Sequence, residues 1–127
     1  MNNVKIKILV VDDNLDMRMM VKRVLAIENK YLIKEACNGN EALDIIPEFL
    51  PDLIIIDFMM PEKNGMELCL ALQKEQKYRD IKFLGISGIT GEESDEFKAF
   101  LGEENFFAKP FLVKSFKEKV NDILEKK

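Results

Sequence analysis

Five residues with groups able to do chemistry stand directly after apolar, branched runs: Asp12 and Asp13 after Ile6 to Val11, Asp57 after Leu53 to Ile56, Ser87 after Phe83 to Ile86, and Lys109 after Asn105 to Ala108. If the runs are neighbouring strands, three carboxylates share one edge, which is costly unless a cation neutralises them. A hard ion that keeps several waters and accepts one or two carboxylates plus a phosphate oxygen is Mg²⁺. Asp12, Asp13 and Asp57 are therefore read as a Mg²⁺ site. A hydroxyl from Ser87 and an ammonium from Lys109 on the same rim describe a clamp for phosphate oxygens facing a carboxylate nucleophile, as phosphoryl transfer requires. Singly, each has a plainer reading: a strand-end Asp caps a helix or solubilises a loop, Ser87-Gly88 is ordinary turn chemistry, and a lysine before Pro110 is usually solvated. Together at four strand ends they are harder to dismiss.

Holding these groups in place takes strands and helices in alternation. The runs Ile6 to Val11, Tyr31 to Ala36, Leu53 to Ile56, Phe83 to Ile86 and Asn105 to Ala108 predict five strands. Met17, Met20, Val21, Val24 and Leu25 fall at helical spacing in the first gap. Helices are predicted next over Asn40 to Phe49, Gly65 to Gln76 and Glu92 to Leu101. The last follows Leu112, Phe116, Val120, Ile123 and Leu124. Glu92, Glu93, Asp95 and Glu96 suit a helix N-terminus, and Lys126 and Lys127 suit a C-terminus. Strict alternation predicts an α/β fold with a parallel sheet covered on both faces, because each parallel crossover is right-handed and contains a helix. The unbroken Leu53-Ile54-Ile55-Ile56 run fits a central strand buried on both sides. Open sheets of this kind bind ligands beyond the carboxyl ends of their strands.

Composition narrows the chemistry. The chain has 127 residues, 47% of them hydrophobic, with no linker-like or repeated segment, so 1–127 is expected to be a single domain. It has no histidine, which removes Ser-His-Asp hydrolysis, HExxH zinc chemistry and a phosphohistidine role. Cys37 and Cys69 lack CxxC spacing and are expected to be semi-buried, apolar-like thiols. The net charge of -4 argues against nucleic acid as a partner, and no apolar run approaches the length of a membrane helix. No secretory leader is evident at MNNVKIKILVV, so a soluble, cytoplasmic protein is expected.

These motifs together, Ile8-Leu9-Val10-Val11-Asp12-Asp13, Asp57-Phe58-Met59-Met60-Pro61, Gly65 and Lys109-Pro110-Phe111, resemble the receiver domain of bacterial two-component response regulators, single-domain chemotaxis type, over essentially the whole chain. The resemblance implies a flavodoxin-like doubly wound (βα)5 fold with strand order 2-1-3-4-5. It implies that Asp57 is the phosphoacceptor, modified to an acyl phosphate by a sensor histidine kinase, a histidine phosphotransfer protein or a small donor such as acetyl phosphate. Asp13, Asp57 and the main-chain carbonyl of Met59 would bind Mg²⁺ directly, and Asp12 mostly through water. Lys109 and Ser87 would each hold a phosphoryl oxygen. Ser87 and Phe106 would form the switch, reshaping a partner surface on the fourth helix, fifth strand and fifth helix. The competing reading of Phe106 is a ring kept permanently in the core beside Phe107.

Two positions depart from the commonest family pattern: Ser87 replaces a threonine, and Phe106 lacks the hydroxyl of a tyrosine. The chain would act by self-phosphorylation and self-dephosphorylation only, not as an enzyme that turns over a released substrate. A haloacid-dehalogenase type phosphohydrolase is the enzymatic alternative, but it needs an acid two positions after the nucleophile, where this chain has Met59. A scaffold that binds partners without phosphorylation is the other, disfavoured because no acid and no lysine of the set is missing. An FMN binder is opposed by the acids after the first strand, which repel a phosphate. With one helix beyond Lys109 there is no room for a DNA-binding module, so output is expected through an unknown downstream protein. A phosphorylation-dependent dimer stays open.

Overall fold

The computed structural model describes residues 5–58, 64–87, 92–108 and 113–125. Its centre is the strand β3 (Leu53–Asp57), buried along its whole length. Strands β1 (Ile6–Val11) and β4 (Lys82–Ser87) flank it, with β2 (Tyr31–Ala36) and β5 (Phe106–Ala108) outside them. All pairs are parallel, in the order β2-β1-β3-β4-β5. The branched run at β3 is thus explained by position: only a central strand with helices on both faces buries both sets of side chains. Edge strand β2 instead leaves Leu32 and Lys34 exposed.

Five helices cover the sheet: α1 (Leu15–Ala26), α2 (Gly39–Phe49), α3 (Gly65–Gln73), α4 (Glu92–Leu101) and α5 (Val113–Glu125). Alternation along the strands assigns each residue to one of two cores. Leu9, Val11, Ile54 and Ile56 pack with Ile46 of α2, Leu68 and Leu72 of α3, and Phe97 of α4. Ile8, Val10, Ile55, Leu84 and Ile86 pack with Val21 and Leu25 of α1 and with Phe116, Val120 and Ile123 of α5.

Three helices start on asparagine. Asn14, Asn38 and Asn64 accept the backbone N–H of Met17, Glu41 and Glu67 at 3.0, 2.8 and 2.9 Å. Glu67 returns the bond to the Asn64 N–H at 2.9 Å, closing a capping box. Each cap contributes about 1 kcal/mol, and two of them fix the loops that follow β1 and β2.

The predicted boundaries shift in five elements, the smallest change being that α2 begins at Gly39 rather than Asn40. Helix α3 ends at Gln73 rather than Gln76, because the chain tightens into a short 3-10 turn over Gln76–Tyr78 that buries the Tyr78 ring. Strand β4 gains Lys82 and Ser87, and β3 gains Asp57. Strand β5 begins at Phe106, since Asn105 belongs to the 3-10 turn Glu103–Asn105 and its side-chain amide donates to the Leu101 carbonyl at 2.9 Å, closing the end of α4. Leu112, Lys126 and Lys127 lie outside the described residues.

Candidate functional site

The sheet register brings the carboxyl ends of four strands to one height. Val11 lies beside Ile56, Asp57 beside Ile86, and Ser87 beside Ala108. Asp12, one residue past β1, therefore lies near Asp57, and one carboxylate oxygen from each of Asp12, Asp13 and Asp57 falls within 4.8 Å of the other two. Asp12, Asp57 and Ser87 are 3%, 7% and 1% exposed, while Asp13 faces solvent. Two charged groups this deep, with a third at the mouth, repel strongly in a medium poorer than water at screening. An all-oxygen carboxylate set with one side open to water is what a hard divalent cation takes, so these donors fit Mg²⁺.

The main chain at Asp12 is held on every side. Its N–H donates to the Ala36 carbonyl at 3.1 Å, its carboxylate accepts the Asn14 N–H at 2.9 Å, and its carbonyl accepts Arg18 Nη1 at 2.6 Å. Asp57 is held through the next residue, since the Phe58 N–H donates to the Ile86 carbonyl at 2.9 Å and its carbonyl accepts the Gly65 N–H at 3.0 Å. That second bond brings α3 so close that a Cβ on Gly65 would meet the Asp57 carbonyl at 2.9 Å and the Ile56 Cγ2 at 2.7 Å. Only glycine fits there.

Phe106 is half-buried, so it is neither a free surface ring nor a sealed core residue. Its ring meets Phe97 edge-on at 6.1 Å, and Phe97 in turn lies 5.1 Å from Phe58, the residue after Asp57. Three rings thus connect the strand that ends in Asp57 to β5. Phe107 points to the opposite core and stacks on Phe116 at 6.3 Å, so the two adjacent phenylalanines are separated by strand alternation rather than packed side by side. Of the aromatic end of the molecule, Phe97 is fully buried and Phe100, Phe106 and Phe107 are half-buried.

Lys109 and Met59, as well as Gly88, Ile89 and Pro110, lie outside the described residues. Three features near the site were not legible in the sequence: the Arg18 and Glu35 pair, the Gly65 contact, and the Phe97 ring between Phe58 and Phe106. Each joins residues of separate elements, so no local spacing marks it. Neither cysteine takes part. Burial pushes the Cys69 thiol up to about 12, and the Cys37 thiol, bonded to Glu41, is also raised. Both are thus held as thiols.

A doubly wound parallel sheet with an acidic cluster at the β1/β3 switch point defines an α/β protein whose ligand site lies where strand order reverses. The response regulator receiver domain family matches residues 8–121. The chemotaxis protein CheY homolog of Campylobacter jejuni is 34% identical over 119 residues, covering 93% of this chain and 92% of that protein. The probable transcriptional regulator ycf27 of Porphyra purpurea is 33% identical over 127 residues, and this chain spans 50% of its length. Among solved structures, Vibrio cholerae chemotaxis protein CheY4 has a TM-score of 0.81 at 27% identity, covering 94% of this chain and 98% of that one. The chain belongs to the response regulator receiver domain family, the phosphoacceptor signalling module of two-component systems. Among the described residues no helix is long and apolar enough to cross a membrane.

Proposed function

We propose that Asp57 is the residue phosphorylated, and that 1–127 works as a single receiver domain. The observation that carries this reading is the convergence of the Asp12, Asp13 and Asp57 carboxylates within 4.8 Å at the switch point, with Ser87 ending the adjacent strand. An Asp57 carboxylate oxygen attacks the phosphorus of a phosphohistidine on a sensor kinase or phosphotransfer protein. The P–N bond breaks as the P–O bond forms, leaving an acyl phosphate on Asp57 and a free imidazole on the donor. Acetyl phosphate serves in the same way, with acetate leaving. Asp12, Asp13, Asp57 and the Met59 carbonyl would hold Mg²⁺, which when bound offsets the charge on the carboxylates and on the phosphoryl oxygens. Lys109 supplies a positive charge to one phosphoryl oxygen and Ser87 a hydroxyl donor to another.

Forming the acyl phosphate adds charge beside Ser87, a buried hydroxyl that ends β4. A shift of Ser87 toward that charge opens space next to β5, and half-buried Phe106 is the ring placed to fill it. The face made by α4, β5 and α5 is then the output surface for a downstream protein, by population shift between two packings. Intact-mass spectrometry with acetyl phosphate tests the reading. One phosphoryl increment is expected with Mg²⁺, none with chelator, and none on Asp57→Ala. Folded wild-type protein that gains no increment, or an Asp57→Ala chain that still gains one, overturns it.

A further inference from the structure

The Arg18 guanidinium forks between two acceptors on different elements. Nε donates to Glu35 Oε1 of β2 at 2.9 Å, and Nη1 donates to the Asp12 carbonyl at 2.6 Å. The other Glu35 oxygen accepts Lys22 Nζ at 2.8 Å, so two cations one turn apart on α1 lock that carboxylate in place. The Arg18 side chain is only 14% exposed, which makes this more than a surface ion pair.

The accepted carbonyl belongs to the peptide unit joining Asp12 to Asp13. Peptide units are planar, so fixing that carbonyl fixes the plane from which the Asp13 side chain departs. We propose that Arg18 is a positioning residue for the Mg²⁺ site: anchored on Glu35, it sets the Asp12–Asp13 peptide plane and with it the placing of the two acids. The proposal rests on the metal-site reading above. It concerns shape rather than charge, because a cation beside an acidic cluster by itself opposes the binding of another cation. A guanidinium can hold a carboxylate and a carbonyl at once in fixed geometry, whereas an ammonium is a single point.

These two effects have opposite signs, so calorimetric titration of Mg²⁺ into wild type, Arg18→Lys, Arg18→Met and Glu35→Gln separates them. If positioning dominates, Arg18→Met weakens Mg²⁺ binding about tenfold despite losing a positive charge, and Arg18→Lys weakens it although the charge is kept. Glu35→Gln, which leaves Arg18 in place but loosens its anchor, weakens binding by a smaller factor. The Mg²⁺ concentration for half-maximal phosphorylation by acetyl phosphate rises by the same factor, while the rate at saturating Mg²⁺ stays within about twofold of wild type. A folded Arg18→Lys or Arg18→Met chain that binds Mg²⁺ as tightly as wild type, or more tightly, overturns the proposal. Wild-type protein that takes up no Mg²⁺ overturns the metal-site reading instead, a separate result.

Discussion

Asp57 is buried with its carboxylate close to those of Asp12 and Asp13, and like charges held this near one another cost the fold stability. Asp57→Asn removes one charge at nearly constant volume. In chelator its unfolding midpoint is expected to lie above that of wild type by a few degrees, corresponding to about 1 kcal/mol; a midpoint below wild type in thermal unfolding contradicts this. Glu35 shows the opposite balance. The Lys22 hydrogen bond first, with Arg18 adding to it, holds its carboxyl below the usual 4.5. A depressed carboxylate stabilises the fold at pH values above its unfolded-state titration and loses that contribution as pH falls through its folded-state titration. Glu35→Gln is therefore expected to be less stable than wild type by about 1 kcal/mol at pH 7, with the gap closing in acid below the ordinary glutamate range. Denaturant titrations at both pH values check it. Asp12, Asp13, Asp57 and Ser87 were legible in sequence because each directly follows or ends an apolar run. Arg18 and Glu35 were not, since a charged residue on a helix and another on an edge strand carry no mark of meeting.

At the scale of elements, Phe97 is the fully buried residue among those described in α4, with Phe100 and Leu101 packed beside it. Phe97 fills the space over Gly85 of β4, where an added Cβ would meet its Cε2 at 2.6 Å and also the Leu101 side chain. Its ring also touches the Gly65 position at the start of α3, 3.1 Å from where a Cβ would stand. Phe97→Ala is expected to cost about 3–5 kcal/mol through the cavity it leaves, and Gly85→Ala about 1–3 kcal/mol through overpacking. Because the two changes act on one volume, the double variant Gly85→Ala/Phe97→Ala should be more stable than the sum of the single variants by about 1 kcal/mol. Additive costs in a double-mutant cycle of unfolding free energies contradict the shared socket. The existence of the elements and their succession along the chain could be read from alternating periodicities, and the Glu92 to Leu101 helix was found at the same limits. The Phe97 socket could not be read, because glycine in a strand and phenylalanine in a helix show their fit only once the sheet and helix are stacked. The end of α3 was overextended for a related reason: Gln73 to Gln76 keeps helical composition, and the burial of Tyr78 from the following turn decides where the helix stops.

For the whole molecule, the parallel order β2-β1-β3-β4-β5 creates one switch point, and the acids occur there because β1 and β3 are neighbours, β1 followed by aspartates and β3 ending in one. That adjacency was implied by the family resemblance, not by strand patterns, which give alternation but no order. The division of the helices over two cores followed from alternation once the order was known. Mg²⁺ binding to the folded chain alone must stabilise it globally. At ten times its dissociation constant the gain is about 1.4 kcal/mol, and the thermal midpoint should rise by roughly 5 °C and return on chelation. An unchanged midpoint in saturating Mg²⁺ contradicts a site formed only in the fold. The most direct measurement is the position of the phosphoryl group itself. Protein phosphorylated with acetyl phosphate and Mg²⁺ is reduced with borohydride, which converts an aspartyl phosphate to homoserine, and its peptides are mapped by mass spectrometry. Conversion confined to residue 57, absent when Mg²⁺ is withheld, is the expected result; conversion at another aspartate, or none in protein shown to be folded, contradicts Asp57 as the phosphoacceptor.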